Sequence, residues 1–352
     1  MAPHFFPPMW EQRRICIART LYTQRVQSVV EVGCGEGNVL AFLASSTDDD
    51  EHPITRLVGI DIDENALSMA REQLQPSAAE RRDLRVDPLC IELYHGNAMV
   101  PIYGLQSDAV VCTEVLEHVS EQKGVQRLTR AVLGGYRPRI AVFTTPNAEF
   151  NINFPALCYG SPEARFRDAD HKFEWTRAQF STWAHSAARD FGYKVTLSGI
   201  GMTMRNPTED FVDCGGCSQM AVFVKLDGVS QESDTARESK LGREESVEES
   251  EGDEEPETEE NSKGPPSLFA VIDYPNFAEP PMDTPALQNL VRQTALKIAD
   301  SSQTFQAEEL WAVLEIRQQF KRRRALLEWL TESEHVDAPK SLQTPSAFTI
   351  RS

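Results

Sequence analysis

The chain has 352 residues, a hydrophobic fraction of 40% and a formal net charge of −19. That length accommodates one large domain with additional segments, or two modest domains. No apolar run approaches the ~18 residues of a membrane span, and the start of the chain lacks the apolar run of a secretion signal. Seven cysteines are scattered rather than clustered, which is typical of a reduced intracellular protein. We therefore expect a cytoplasmic or nuclear protein without a membrane-spanning segment.

The acidic charge is concentrated in one segment. Residues 229–263 carry 14 acidic and 4 basic side chains, and such a composition cannot bury enough apolar surface to offset its conformational entropy. We predict a disordered acidic linker over 229–265, after a first domain over 1–228. The net negative charge of that domain argues against a long footprint on duplex nucleic acid but permits recognition of one strand end.

Seven short apolar or β-branched runs recur along residues 1–228, with helical stretches between them. Runs that are apolar throughout are typical of strands buried on both faces of a sheet. Their alternation with helices predicts an α/β fold with a seven-stranded, doubly wound, Rossmann-like sheet. The predicted strands are 28–32, 56–60, 89–94, 109–112, 139–144, 194–197 and 220–225. The predicted helices are 38–44, 64–75, 114–118 and onward, 127–134 and 177–191.

A glycine-rich loop, Glu-Val-Gly-Cys-Gly-Glu-Gly, closes the first predicted strand. Its glycines lie where the backbone must turn tightly and approach a ligand closely, although dinucleotide sites share this logic. Asp61 ends the second strand, where a carboxylate can accept both ribose hydroxyls of an adenosine. Asn97 follows the third strand and could meet the adenine edge. This order is typical of class I S-adenosylmethionine-dependent methyltransferases rather than of hydride transfer. The predicted cofactor-binding residues are Glu31, Gly33, Gly35, Asp61 and Asn97.

Two carboxylates and an imidazole follow the fourth predicted strand. Glu114, Glu117 and His118 have the spacing i, i+3 and i+4, which places side chains on one face of a helix; a solvated helix face would give the same pattern. His171 follows the fifth strand, and the loops after strands four and five meet at the ligand-binding edge of such a sheet. His171 can therefore complete a set of two carboxylates and two imidazoles. Oxygen and nitrogen ligands without cysteine leave room for Mg²⁺ or Mn²⁺, and their types also fit Zn²⁺ or Fe²⁺.

Other patterns predict structural elements. Cys214-Gly-Gly-Cys217 lacks the two further ligands of a zinc site, so we predict a tight turn before the seventh strand. Residues 306–333 are apolar in patches that predict one amphipathic helix, within a partly helical segment over 266–335 and before a disordered tail over 336–352. The basic run Lys-Arg-Arg-Arg at 321–324 is a solvated helix face or a contact with RNA or a partner.

Together, the motifs of residues 4–226 resemble those of the small-RNA 3′-terminal 2′-O-methyltransferases, the Hua enhancer family. The most specific are Glu-x-x-Glu-His at 114–118 and Asp-x-Asp-His-Lys-Phe-Glu-Trp-Thr-Arg at 168–177. The others are Phe-Pro-Pro at 6–8, Gln-Arg at 12–13, the glycine loop, Leu-Tyr-His-Gly at 93–96 and Thr-Pro-Asn at 145–147.

The resemblance implies methyl transfer from S-adenosylmethionine to the 2′-hydroxyl of the last nucleotide of a small silencing RNA, with a divalent metal usually written as Mg²⁺. It implies that Asp61 is the ribose-binding acid and that Asn97 occupies a cofactor position where relatives often have Ser or Asp. The chain resembles the short, animal-type members, which lack duplex-RNA-binding domains and act on single strands loaded in a Piwi or Argonaute protein; we expect a monomer. The metal ligands and catalytic residues it implies are Glu114, Glu117, His118 and His171.

Two other functions fit parts of the sequence. A methyltransferase that acts on a protein or a small molecule would not need all four metal-ligand residues. A non-catalytic scaffold that binds partners through the acidic linker and residues 310–330 should have lost the glycine loop or some ligands, yet the sequence retains them. We therefore expect an active enzyme that acts on a free RNA end.

Overall fold

The computed structural model describes residues 3–45, 53–82, 85, 87–201, 214–226, 264–276, 282–299, 303–333, 336–337 and 347–350. The chain divides into two compact units. Unit 1 comprises Met1–Leu43, Arg56–Leu74 and Ile91–Val271, and unit 2 comprises Ala44–Thr55, Gln75–Cys90 and Ile272–Ser352. All but the last two residues of the predicted linker 229–265 lie outside the described residues.

Helices and strands alternate over the first part of the chain, as the hydrophobic pattern predicts. The helices are α1 (Met9–Thr23), α2 (Asn38–Ala44), α3 (Glu64–Gln73), α4 (Ala78–Arg82), α5 (Lys123–Thr129) with a π-helical continuation Arg130–Tyr136, and α6 (Arg177–Phe191). The strands are β1 (Ser28–Val32), β2 (Arg56–Asp61), β3 (Leu89–His95), β4 (Ala109–Thr113), β5 (Ile140–Pro146), β6 (Tyr193–Ile200), β7 (Ser218–Lys225) and β8 (Ser267–Tyr274).

The larger sheet has the strand order β6-β7-β5-β4-β1-β2-β3-β8. β1 pairs in parallel with β2 and β4, β4 pairs in parallel with β5, and β7 is antiparallel to both β5 and β6. This topology confirms the predicted Rossmann-like α/β class. The predicted number of strands was wrong: among the described residues the sheet has eight, because β8 follows the acidic segment. Its sequence, Ser-Leu-Phe-Ala-Val-Ile-Asp-Tyr, is rich in strand-forming residues that we did not interpret as a strand.

The parallel strands form the middle of the sheet and deliver their ends to one edge. β5 is buried at all seven positions, and β1 and β4 are buried at four of five, as expected for strands covered on both faces. The backbone N–H of Gly96 donates to the carbonyl of Asp61 at 2.9 Å, so the residues that follow β2 and β3 are neighbours. Every loop that the sequence singles out for chemistry leaves the sheet at such a strand end.

Helix α6 has the bounds predicted for it because both of its ends are encoded locally. Thr176 and Gln179 form a reciprocal capping box at its start, which satisfies two backbone donors. Gly192 ends it in the left-handed conformation, with φ of +77°. Across the described residues, no helix is both long and apolar enough to cross a lipid bilayer.

Unit 2 corrects two predictions. Residues 306–333 form three helices instead of one, because the backbone is extended at Val313 and left-handed at Lys321 (φ +59°). The tail 336–352 was predicted to be disordered, yet strands Val336–Asp337 and Ala347–Ile350 lie in a three-stranded sheet with Thr304–Gln306. Among the described residues, the helices of this unit are α4, Thr284–Ile298, Ala307–Trp311, Leu314–Phe320 and Arg323–Glu332.

The basic run at 321–324 lies at the break between two of these helices, and its arginines are paired within unit 2. Arg322 lies 2.6 Å from Asp87. Arg323 pairs with Glu308, and Arg324 pairs with Glu328 one helical turn away. These pairs offset part of the positive charge of the run. The exposed Arg324 with its i, i+4 partner fits the solvated helix face, and a contact with RNA or a partner stays a prediction.

The tail strand is expected to stabilise unit 2, because Phe348 is 1% exposed and stacks on Phe305 with ring centroids 5.9 Å apart. Phe348→Ala should cost about 3–5 kcal/mol and accelerate amide hydrogen exchange over 284–332. Thr349→Ala, in the same strand, is the control. Exchange that Phe348→Ala leaves unaltered would contradict this packing and restore the disordered tail.

Candidate active site

The glycine loop after β1 has one packed side and one open side. Gly33, Gly35 and Gly37 adopt φ values of +70°, +50° and +79°, a region that L side chains rarely enter. A Cβ on Gly33 would lie 2.5 Å from Cγ2 of Val115, whereas a Cβ on Gly35 would meet nothing within 4 Å. The backbone at Gly35 is therefore accessible to a ligand at close range.

Asp61 ties this loop to the end of β2. One of its carboxylate oxygens accepts a hydrogen bond from the backbone N–H of Gly35 at 2.7 Å, and the other accepts from Asp63 at 2.9 Å. Each oxygen keeps a second lone pair. After β3, Oδ1 of Asn97 accepts from the backbone N–H of Met99 at 2.9 Å. Both predicted cofactor residues thus order the loops that surround the glycine loop.

Glu31 contributes a buried carboxylate directly before the glycine loop. The residue is 2% exposed, and its Oε2 has no hydrogen-bond partner among the described residues. Burial, and then the negative charge of Asp61, raise the pKa of Glu31 well above its ordinary value. A cationic group bound beside Glu31 and Asp61 would compensate this cost.

The loop after β4 differs from the helix predicted there. Glu114 is left-handed, with φ of +54°, and only Leu116–His118 form a single 3₁₀ turn. The expectation that Glu114, Glu117 and His118 share one helix face was therefore wrong. Residues of this turn nevertheless converge with His171: one ligand atom each from Glu117, His118 and His171 lies within 4.8 Å of the other two.

Glu114 lies next to this trio without being part of it. Its Oε2 lies 3.3 Å from Nη1 of Arg13 and accepts a hydrogen bond from the hydroxyl of Ser218. Oε1 of Glu114 is buried and has no hydrogen-bond partner among the described residues. The same is true of Oε1 of Glu117. Two unpartnered carboxylate oxygens thus accompany two imidazoles whose ring centroids are 5.0 Å apart.

The electrostatics of the cluster disfavour charge in the absence of a cation. Burial and the neighbouring carboxylate of Glu114 raise the pKa of Glu117 to about 8. Burial and the neighbouring His171 lower the pKa of His118. This environment favours a protonated carboxyl at Glu117 and a neutral imidazole at His118. A bound cation would instead favour the ionised carboxylate of Glu117.

Three supporting residues lie within the quoted motifs, but the motifs did not reveal their contacts. Thr145 donates its hydroxyl hydrogen to Oε2 of Glu117 at 2.9 Å. Arg13 lies beside Glu114, as described above. Glu174 holds Nδ1 of His171 at 2.7 Å. The i, i+3 spacing of His171 and Glu174 was a signal that could have predicted this pair.

The cysteine pair takes the structural role predicted for it. Gly215 has φ of +87°, and the turn leads directly into β7 at Ser218. Cys214 and Cys217 are both buried, and burial raises the pKa of both thiols. The turn also receives the side chain of Asn147, which donates to the carbonyls of Cys214 and Gly216.

The fold and the glycine loop define a class I methyltransferase domain of the S-adenosylmethionine-dependent type. In agreement, the protein-family profile described as "Methyltransferase domain" matches residues 30–135.

Within this class, the chain resembles the small RNA 2′-O-methyltransferases. It is 35% identical over 230 residues to the one from Xenopus tropicalis, which covers 65% of this chain and 58% of that protein. It is 33% identical over 241 residues to the one from Schizosaccharomyces pombe, which covers 62% of this chain and 61% of that protein. The crystal structure of small RNA methyltransferase HEN1 aligns with a TM-score of 0.52 and 28% identity, over 66% of this chain and 27% of that one. The chain spans less than two thirds of the length of these relatives.

Because Gly33 is packed and Gly35 is open, we expect alanine to lower the free energy of unfolding by different amounts at the two positions. Gly35→Ala should lose about 1–2 kcal/mol through its left-handed backbone alone. Gly33→Ala carries the same strain and also overlaps Val115, so it should be less stable than Gly35→Ala by about 1–3 kcal/mol. Urea unfolding monitored by circular dichroism measures both. Equal losses would contradict the packed side assigned to Gly33.

Proposed function

We propose that this chain transfers a methyl group from S-adenosylmethionine to the 2′-hydroxyl of the 3′-terminal nucleotide of a small RNA, with a divalent cation bound at the Glu-His cluster. One observation carries the proposal. The cluster lies beside the glycine loop, since Val115, between Glu114 and the trio, packs against Gly33. A methyl donor on the loop and an acceptor at the cluster would therefore be neighbours.

The chemistry of the loop fits the methyl donor. S-adenosylmethionine carries a sulfonium and an ammonium group, and Glu31 offers a buried carboxylate oxygen that has no partner among the described residues. The open side of Gly35 permits close approach of the ligand to the backbone. Asp61 retains lone pairs that could accept ribose hydroxyls, at the strand end where nucleotide-binding folds place an acid.

The donor set of the cluster fits a divalent cation. Glu117, His118 and His171 would hold it, with the unpartnered Oε1 of Glu114 adjacent. The imidazole–carboxylate pair of His171 and Glu174 is typical of metal-binding histidines. Carboxylate and imidazole ligands with no thiolate fit Mg²⁺ or Mn²⁺. When bound, such an ion would act as a Lewis acid that makes a ribose hydroxyl more acidic.

The chain's own residues prepare the cluster for this chemistry. Thr145 holds Oε2 of Glu117 by a hydrogen bond, and Oε1 of Glu117 is buried without a partner among the described residues. Arg13 neutralises part of the charge that Glu114 brings to a half-buried site. Partial burial and the neighbouring His171 lower the pKa of His118, so its neutral ring retains a lone pair for a metal ion or for the proton that the hydroxyl loses.

A requirement for both ribose hydroxyls would explain the choice of a 3′ end. An internal nucleotide has its 3′-oxygen in a phosphodiester, so only the last nucleotide offers two free hydroxyls. Delivery of the RNA as a single strand by an Argonaute or Piwi protein, a cytoplasmic location and action as a monomer stay predictions that rest on the sequence. Methylation of a protein or small molecule is the competing function, and the experiments below separate the two.

The acceptor can be tested with RNAs that differ only at their last nucleotide. We expect methyl transfer from tritiated S-adenosylmethionine to a 22-nucleotide RNA with a free ribose end, and resistance of the product to periodate oxidation. An otherwise identical RNA with a 3′-deoxy end keeps its 2′-hydroxyl but lacks the second oxygen. It should be methylated at least about 10-fold more slowly, because the acceptor hydroxyl is then positioned less well for the transfer. Equal rates on both RNAs would exclude selection by the two hydroxyls.

The cluster can be tested with a single carboxylate. Glu117→Ala removes a buried ligand, so it should reduce methylation by at least about 100-fold while binding of S-adenosylmethionine, measured by calorimetry, stays within error. Glu163→Ala removes an exposed carboxylate and should retain full activity. Excess chelator should also abolish wild-type turnover. Full activity of Glu117→Ala, or of the wild type in chelator, would eliminate the metal role.

A further inference from the structure

His171 contacts a buried carboxylate, that of Glu174, which is not itself one of the proposed metal ligands. Oε1 of Glu174 lies 2.7 Å from Nδ1 of His171, and the side chain of Glu174 is 0% exposed. Because an ionised carboxylate can only accept a hydrogen bond, a neutral His171 ring in this contact would carry its proton on Nδ1 and its lone pair on Nε2. Nε2 would then be the ring nitrogen available to a cation that is held together with Glu117 and His118.

Glu174 is itself fixed by two donors. Asn151 donates from its side-chain amide to Oε2 at 2.5 Å, and the backbone N–H of Arg167 donates to Oε1 at 2.7 Å. The amide of Asn151 can adopt only one orientation, because its Oδ1 accepts from Nε of Arg167 at 2.6 Å. The chain of contacts runs from Arg167 through Asn151 and Glu174 to His171, with every donor facing an acceptor.

Arg167 anchors this chain to the sheet. Its guanidinium donates to the backbone carbonyl of Cys217, directly before β7, at 2.7 Å and to that of Asn147, directly after β5, at 2.5 Å. It also lies over the rings of Phe150 and Phe154, 5.8 and 5.5 Å from their centroids. A planar, multidentate arginine of this kind holds its partners in one geometry.

We propose that Glu174 is a positioning residue: it sets the tautomer and orientation of His171, and Arg167 and Asn151 hold Glu174 in place. The expected effect of Glu174 on metal binding rests on the proposed metal site, whereas its effect on the tautomer of His171 does not. Of the three residues that hydrogen-bond to Glu174, only His171 belongs to the Glu-His cluster.

The tautomer can be measured without metal, cofactor or RNA. Long-range ¹H–¹⁵N NMR spectra of the full, metal-free chain should show His171 protonated at Nδ1, with the assignment made by comparison with His171→Gln. In Glu174→Ala the proton should move to Nε2, the tautomer that free histidine prefers. Glu163→Ala is the matched control, an exposed carboxylate in the same loop. A wild-type His171 protonated at Nε2, or a tautomer unchanged in Glu174→Ala, would overturn the proposal.

The consequence for the site can be measured by Mn²⁺ binding to the same proteins. Glu174→Ala should bind Mn²⁺ about 10- to 100-fold more weakly than the wild type, the usual cost of removing such an outer partner. Wild-type-like affinity for S-adenosylmethionine would show that the domain is folded. Affinity for Mn²⁺ within about twofold of the wild type in that folded variant would contradict the positioning role.

A conservative variant keeps the test decisive if Glu174→Ala does not fold. Glu174→Gln retains an acceptor for Nδ1, so it should keep the wild-type tautomer, but its amide faces that of Asn151 and its charge is lost. Mn²⁺ affinity between those of the wild type and Glu174→Ala is expected; affinity equal to the wild type would contradict a role for the charge. If the wild type itself binds no Mn²⁺, the proposed metal site fails, while the tautomer still decides the role of Glu174.

Discussion

The constraint on which this structure depends is the burial of Glu117 beside a second carboxylate. A carboxylate without water or a counter-ion is costly in a protein interior, and burial together with Glu114 raises the pKa of Glu117 to about 8. Its Oε1 has no partner among the described residues. Such an arrangement lowers the stability of the domain without a metal ion. A bound cation would neutralise the two carboxylates and so stabilise the fold. The glycine loop also contains a buried carboxylate, because burial and the negative charge of Asp61 raise the pKa of Glu31.

The surrounding fold holds these unfavourable groups in place. Glu117 lies on a single 3₁₀ turn that follows a fully buried part of β4, and Thr145 at the end of β5 donates to it. The loop that carries His171 is fastened at Glu117 by the backbone N–H of Lys172, at 2.7 Å. Rigid strands thus supply the two sides of the cluster, which is how a preorganised site keeps its geometry.

The sequence predicts the parts of this molecule that follow a strong local pattern. The buried strands, the glycine loop and helix α6 are encoded by apolar runs, glycines and caps. The sequence did not predict the left-handed backbone of Glu114, because a carboxylate before a helical pattern normally continues the helix. Nor did it predict the role of Glu174, which depends on contacts with Asn151 and Arg167 that lie 23 and 7 residues away. Long-range hydrogen bonds of this kind leave no periodicity in the chain.

The claim that a cation completes the cluster can be tested most directly by electron spin-echo spectroscopy of Mn²⁺ added to the full chain without S-adenosylmethionine or RNA. The account predicts ¹⁴N couplings from imidazole ligands, which ¹⁵N labelling of histidine should shift. Substitution of His118 and of His171 by glutamine should each remove one set of couplings, while substitution of the exposed His185 should remove none. Mn²⁺ that binds without nitrogen couplings, or with couplings that survive both substitutions, would contradict the account.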